Sequence, residues 1–100
     1  AYPMAVVTSS SRQEIEAILR AEGILDRFRT VVYGDDVARL KPDPEPYAMA
    51  MRRLGVTSAI ALEDSAPGKE SARRAGCQLV EIGTAADTPV LVRAALANFR

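Results

Sequence analysis

Histidine is absent from the 100 residues, and cysteine occurs once, at Cys77. Together these remove the nitrogen and sulfur donors of zinc and most transition-metal sites, so a metal here is bound through oxygen, which points to magnesium. A lone cysteine cannot close an intramolecular disulfide, and no charged-then-apolar leader opens the sequence, so a reducing cytoplasm is the expected compartment. An excess of either charge is missing too. Thirteen basic residues balance thirteen acidic ones, so no general field draws the chain to nucleic acid or to an anionic membrane surface, and any phosphate site has to be local. No apolar run approaches the roughly 18 residues that cross a bilayer.

What is present is an ordinary soluble mixture, 48% hydrophobic and 26% charged. Residues 1–100 make one domain, long enough to bury about two-thirds of the surface of the unfolded chain. The apolar run Met4 to Val7 begins almost at once, with no cap, turn or initiator methionine before it. It reads as a start cut into a longer sequence.

Short apolar runs alternate with segments of helical period, the pattern of αβ units on a parallel sheet. Four strands are predicted, at Met4 to Val7, Thr30 to Tyr33, Ala59 to Leu62 and Gln78 to Ile82; none alternates with polar residues, as suits strands covered on both faces. The first helix starts at Ser11, three residues before Glu14 in capping-box spacing, carries Ile15, Ile18 and Leu19 as its stripe, and ends at Gly23. A second runs from about Pro44 to Leu54, with Tyr47, Met51 and Leu54 on a core-facing side and Gly55 as its stop. A third, Pro67 to Ala75, is rich in small residues and should lie close to the sheet. Thr88 and Pro89 open a fourth, with Val92, Ala95, Leu96 and Phe99 in line.

Ligands of open parallel sheets bind beyond the carboxyl ends of the strands. Three such positions are loaded. Thr8-Ser9-Ser10-Ser11 sets hydroxyls and backbone N–H groups at a helix N-terminus, which suits a bound phosphate and equally suits plain helix capping. Lys41, ahead of Pro42, offers a point charge for phosphate, or is a surface lysine before a Pro-rich turn. Glu63 and Asp64 crowd two carboxylates at the end of a buried strand, where a cation relieves the repulsion, although either could instead cap the next helix together with Ser65.

Hydroxyl, lysine and acidic pair, in that order along one αβ series, resemble the haloacid dehalogenase superfamily over nearly the whole chain. V-V-T-S-S-S-R is similar to the family's second motif, which assigns phosphate binding to Thr8 and the Ser9 amide. G-D-D-V-A-R-L-K-P-D-P resembles the third, whose lysine, here Lys41, neutralises phosphate charge. E-D-S-A-P-G resembles the fourth, with Asp64 as direct magnesium ligand and Glu63 as a second or water-mediated one. The spacing resembles the phosphoglycolate-phosphatase and β-phosphoglucomutase branch. That resemblance implies an α/β, doubly wound, three-layer αβα Rossmann-like core with a parallel sheet, of which this is the C-terminal part, lacking the first strand and the helical cap. It also implies magnesium-dependent transfer of a phosphoryl group from a small phosphorylated metabolite through an aspartyl-phosphate. The family's Asp-x-Asp-Gly-Thr segment, source of the nucleophile, has no match here; Asp35, Asp36 and Asp43 lie in the wrong surroundings. The chain alone is therefore expected to be inactive.

Two other classes compete. A response-regulator receiver combines similar residues, but carries its acids after the first strand and its lysine after the last, the reverse of the order here. A non-catalytic phosphate-binding or oligomerisation module with a degenerate core remains open. The resemblance further implies a gap, since the family's first strand lies between the strand ending at Thr8 and the strand ending at Leu62. Two unpaired edges would close directly, borrow a strand through self-association, or stay paired with the missing N-terminal segment.

Overall fold

The computed structural model describes residues 2–81. Ala5–Val7 (β1) enters at once and leads through Arg12–Ala21 (α1) to Thr30–Val32 (β2); Glu45–Leu54 (α2) crosses to Ile60–Glu63 (β3), and Ala66–Arg74 (α3) returns to Gln78–Glu81 (β4). Short 3₁₀ turns at Leu25–Arg27 and Gly34–Asp36 flank β2. The strands pair in parallel in two couples. β1 lies against β2 with Val6 opposite Val31, and β3 against β4 with Leu62 opposite Val80. A parallel couple needs a crossover, and α1 and α3 supply one each, so the chain is two βαβ units joined by α2. The α/β class with a parallel sheet, expected from the sequence, is the one observed.

Each helix begins where local chemistry satisfies its free amides. The Ser11 oxygen accepts from the Glu14 amide at 3.3 Å while the hydroxyl donates to Glu14 Oε1 at 3.0 Å, so the predicted box closes through the hydroxyl. Ser65 caps α3 by accepting from the Gly68 amide at 3.1 Å. Pro44 and Gly55 bound α2 as predicted. The α1 stripe departs from expectation: Leu19 is buried and Ile18 is exposed. β3 begins and ends one residue later than its apolar run suggests, which takes Glu63 into the strand. Ile82 and the helix expected over 88–99 lie outside the described residues.

α2 packs on both β1 and β2, α3 on both β3 and β4, and the two helices touch. The core is small in volume, with Tyr47, Ala61, Ala72 and Cys77 at its centre and Val7, Met51 and Leu79 packed around them. Between the couples there is no ladder: among the described residues β1 pairs only with β2 and β3 only with β4. A cavity of about 910 Å³ lies there, walled by Val6 of β1, Ala61 of β3 and Tyr47, Ala50 and Met51 of α2. The two inner edges do not close on each other directly. No described helix is long and apolar enough to cross a membrane.

Candidate active site

β1 delivers the chain to Thr8, whose amide continues the ladder by donating to the Val32 carbonyl at 2.9 Å. The Thr8 hydroxyl oxygen accepts from the Ser10 amide at 3.1 Å, which curls the loop and leaves the hydroxyl proton free to donate. The Ser9 amide makes no hydrogen bond among the described residues. Gly34 pins this loop from outside. Its amide donates to the Ser10 carbonyl at 2.8 Å, and a Cβ at Gly34 would stand 2.2 Å from the Ser9 carbonyl oxygen, so only glycine permits that approach.

Lys41 reaches across the ends of both couples. Its Nζ donates to the Val7 carbonyl at 3.0 Å and to Glu63 Oε2 at 2.9 Å. The ammonium is therefore one peptide away from Thr8 and one residue away from Asp64. All three motifs read from the sequence meet at one end of the sheet. The ion pair is nearly out of solvent, with side chains 11% and 9% exposed for Lys41 and Glu63.

Glu63 has further partners that its position in the sequence did not announce. The Tyr47 hydroxyl donates to the same Oε2 at 2.5 Å, and the Ser65 hydroxyl donates to Oε1 at 3.3 Å. A Cβ on Gly68 would fall 2.0 Å from the Glu63 carboxyl carbon, so the first turn of α3 forms the back of the carboxylate's seat. Burial pushes the Glu63 carboxyl up, but the Tyr47 hydroxyl and the Lys41 ammonium outweigh it and hold it below its ordinary 4.5. The Tyr47 phenol is pushed well above its ordinary 10.0, by burial first and then by the Glu63 carboxylate. The Cys77 thiol is pushed up by burial, which makes it inert.

Asp64 points into a different environment. It is exposed and makes no hydrogen bond or ion pair among the described residues. A hard cation fits such a donor, but one exposed carboxylate is a thin ligand set, and no group of three or more acidic, histidine or cysteine residues gathers among the described residues. The remaining acids near the site serve the scaffold. Asp36 accepts from the Tyr33 amide at 3.0 Å and pairs with Arg12 and Arg53 at 3.7 and 3.6 Å; Asp35 accepts from the Arg12 amide at 3.3 Å; Asp43 accepts from the Glu45 amide at 2.9 Å. Each carboxylate of the G-D-D and K-P-D-P segments is thus occupied in holding a turn.

A parallel α/β sheet with a hydroxyl loop, a lysine and an acidic pair at the carboxyl ends of its strands defines a protein of the doubly wound class, in which ligands generally bind at the strand ends. The particular family follows from likeness over most of the chain: the model of the haloacid dehalogenase-like hydrolases matches residues 1–82, and the chain belongs to that family. Validoxylamine A 7'-phosphate phosphatase of Streptomyces hygroscopicus subsp. limoneus is 39% identical over 94 residues, covering 92% of this chain and 44% of that protein. Fructose-1-phosphate phosphatase YqaB of Escherichia coli is 37% identical over 82 residues, 80% of this chain and 44% of that protein. CbbY of Rhodobacter sphaeroides, solved with phosphate and also with xylulose-1,5-bisphosphate, superposes with a TM-score of 0.77 at 37% identity, over 82% of this chain and 39% of that one. The chain spans less than half the length of these relatives.

Proposed function

We propose that these residues are the phosphate- and metal-binding half of a magnesium-dependent phosphatase or phosphomutase that acts on a small phosphorylated sugar or similar metabolite through an aspartyl-phosphate. The observation that carries this reading is Lys41, held at 3.0 Å from the Val7 carbonyl and 2.9 Å from Glu63 so that its charge stands beside the Thr8 loop. Two of its three N–H bonds have protein acceptors; the third is left for a phosphoryl oxygen. The Ser9 amide and the Thr8 hydroxyl donate from the other side, and Lys41 offsets the charge that builds on the equatorial oxygens in a loose transition state. Asp64 would hold magnesium directly, with Glu63 as a second or water-mediated ligand, and the bound ion would supply further charge neutralisation at the phosphoryl group.

The attacking aspartate is assigned to a segment outside these 100 residues, paired as a strand between β1 and β3. The cavity between the two couples has apolar walls suited to such a strand, and relatives named as phosphatases are more than twice as long as the stretch they share with this chain. The test is complementation. The 100-residue chain alone should leave an aryl phosphate intact, and adding a separately expressed fragment with the Asp-x-Asp segment should produce magnesium-dependent turnover that Asp64→Ala abolishes. Turnover by the chain alone, lost in Asp64→Ala, places a nucleophile within it and overturns the assignment. Sedimentation of the chain with and without the fragment separates strand donation by the fragment from self-association.

A further inference from the structure

We propose that Tyr47 is a positioning residue for the phosphate lysine: its hydroxyl fixes the Glu63 carboxylate, and Glu63 in turn holds the Lys41 ammonium over the ends of β1 and β3. The inference rests on the reading of Lys41 as a phosphate ligand, but its geometry stands independently. Two donors converge on one oxygen, Tyr47 Oη at 2.5 Å and Lys41 Nζ at 2.9 Å from Glu63 Oε2. A carboxylate oxygen bound from two directions, with Ser65 on its twin and Gly68 behind it, has little freedom to rotate. The Tyr47 ring adds a second constraint, lying under the ammonium with its centroid 5.4 Å from Nζ.

Hydrophobic packing alone would be met by phenylalanine. The hydroxyl is buried, and a buried hydroxyl is retained where it has an acceptor; among the described residues that acceptor is Glu63. Lysine has a flexible four-carbon stem, so without a fixed counter-charge its head would sample several positions over the strand ends. With Glu63 clamped by Tyr47 on one side and the Val7 carbonyl fixed by β1 on the other, two of the three donors are set, and so is the direction of the third. Glu63 then serves the lysine first, and any part it has in holding magnesium is through water.

The chain contains two lysines, Lys41 and Lys69, so Lys69 is a built-in reference for chemical labelling. Trace acetylation of the whole chain, read by mass spectrometry as the Lys41 to Lys69 ratio, should rise about threefold or more in Tyr47→Phe, with the far-ultraviolet circular dichroism unchanged, and similarly in Glu63→Gln. The double variant should show no further rise, because Tyr47 acts through Glu63. An unchanged ratio in Tyr47→Phe overturns the proposal, as does an equal rise on the Glu63→Gln background, which would show that the hydroxyl acts independently of Glu63. If Tyr47→Phe does not fold, nuclear Overhauser contacts in the wild type between the Lys41 Nζ protons and the Tyr47 hydroxyl or ring decide the matter, and their absence overturns it. Inorganic phosphate is the separate arm: it should slow Lys41 labelling in the wild type and bind about threefold or more weakly to Tyr47→Phe. Phosphate without effect on wild-type Lys41 overturns the phosphate reading, while the labelling ratios still decide the role of Tyr47.

Discussion

At the carboxyl ends of β1 and β3 a lysine and a tyrosine both hydrogen-bond to one glutamate, and no described buried side-chain nitrogen or oxygen lacks a partner. One or two residues back along the same strands, the inner edges of β1 and β3 face a cavity of about 910 Å³ and pair with nothing described. The difference shows how the two βαβ units are joined. No ladder connects them, so the connection runs through α2 and through Lys41, which bonds to Val7 of one unit and Glu63 of the other. Among the described residues the polar end has its buried hydrogen bonds satisfied, whereas the inner edges of β1 and β3 do not.

The most severe way to break that contrast is Glu63→Ala, which leaves the Tyr47 hydroxyl without its acceptor and the buried Lys41 ammonium without its counter-charge. Removing one partner of a buried pair costs about 3 to 5 kcal/mol, so urea denaturation should show most of the chain's stability lost. A cost under about 1 kcal/mol would mean that water reaches the pair and that the polar end does not join the units. Gly68→Ala attacks the same seat from behind. Its methyl would meet the carboxylate 2.0 Å from the carboxyl carbon, and the strain should cost about 1 to 3 kcal/mol. Glu63→Gln should not relieve it, since the amide has the same bulk.

How far these features could be read in the sequence follows from which interactions are local. The strand positions, to within a residue, the helix start at Ser11 and the stop at Gly55 depend on neighbours a few residues away, and they were legible; α3 begins at Ala66 behind a Ser65 cap, one residue before the Pro67 expected from the sequence. Glu63 was placed just beyond its strand, because an acidic residue ordinarily marks the end of a buried run. The strand continues through it because two side-chain donors from distant segments, Lys41 and Tyr47, and a local one, Ser65, satisfy it there. Tyr47 was read as core, and its ring is core; hydrophobic period fixes which face of α2 it takes but not where its hydroxyl ends. Gly34 and Gly68 were legible as parts of motifs, while their reason, contact with Ser9 and with Glu63, is a matter of tertiary distance. The gap beside β1 could be anticipated only through family resemblance, since nothing in the composition of β1 or β3 says which edge is paired.

Acid sharpens the comparison without a substitution. The Glu63 carboxyl is held below its ordinary 4.5 in the folded chain, so the unfolded chain binds the extra proton first as pH falls. The stability it contributes is present above that ordinary value and is lost as pH drops through the lower folded one. In magnesium-free buffer, thermal melts of the wild type should fall more steeply below pH 4.5 than those of Glu63→Gln. Parallel curves would indicate that the carboxylate gains nothing from Tyr47 and Lys41.

The smallest expected effect tests the other side of the contrast. Val6 is half-buried on β1 and contributes to the wall of the cavity, so Val6→Ala removes two methyl groups from a site that lacks close packing on its inner flank. In a close-packed core such a deletion costs both the lost transfer energy and the new void, but here the void already exists and only part of the surface was ever removed from water. The expected loss is about 1 kcal/mol or less. Val32 on β2, with 0% exposure, is the control: Val32→Ala should cost clearly more, about 2 kcal/mol or above. Addition of a strand-donating fragment should then reverse the order of sensitivity at Val6, because a strand seated between β1 and β3 would pack against its methyl groups. Equal losses at Val6 and Val32 without the fragment would show the cavity closed in solution, and would remove the basis for assigning a strand to it.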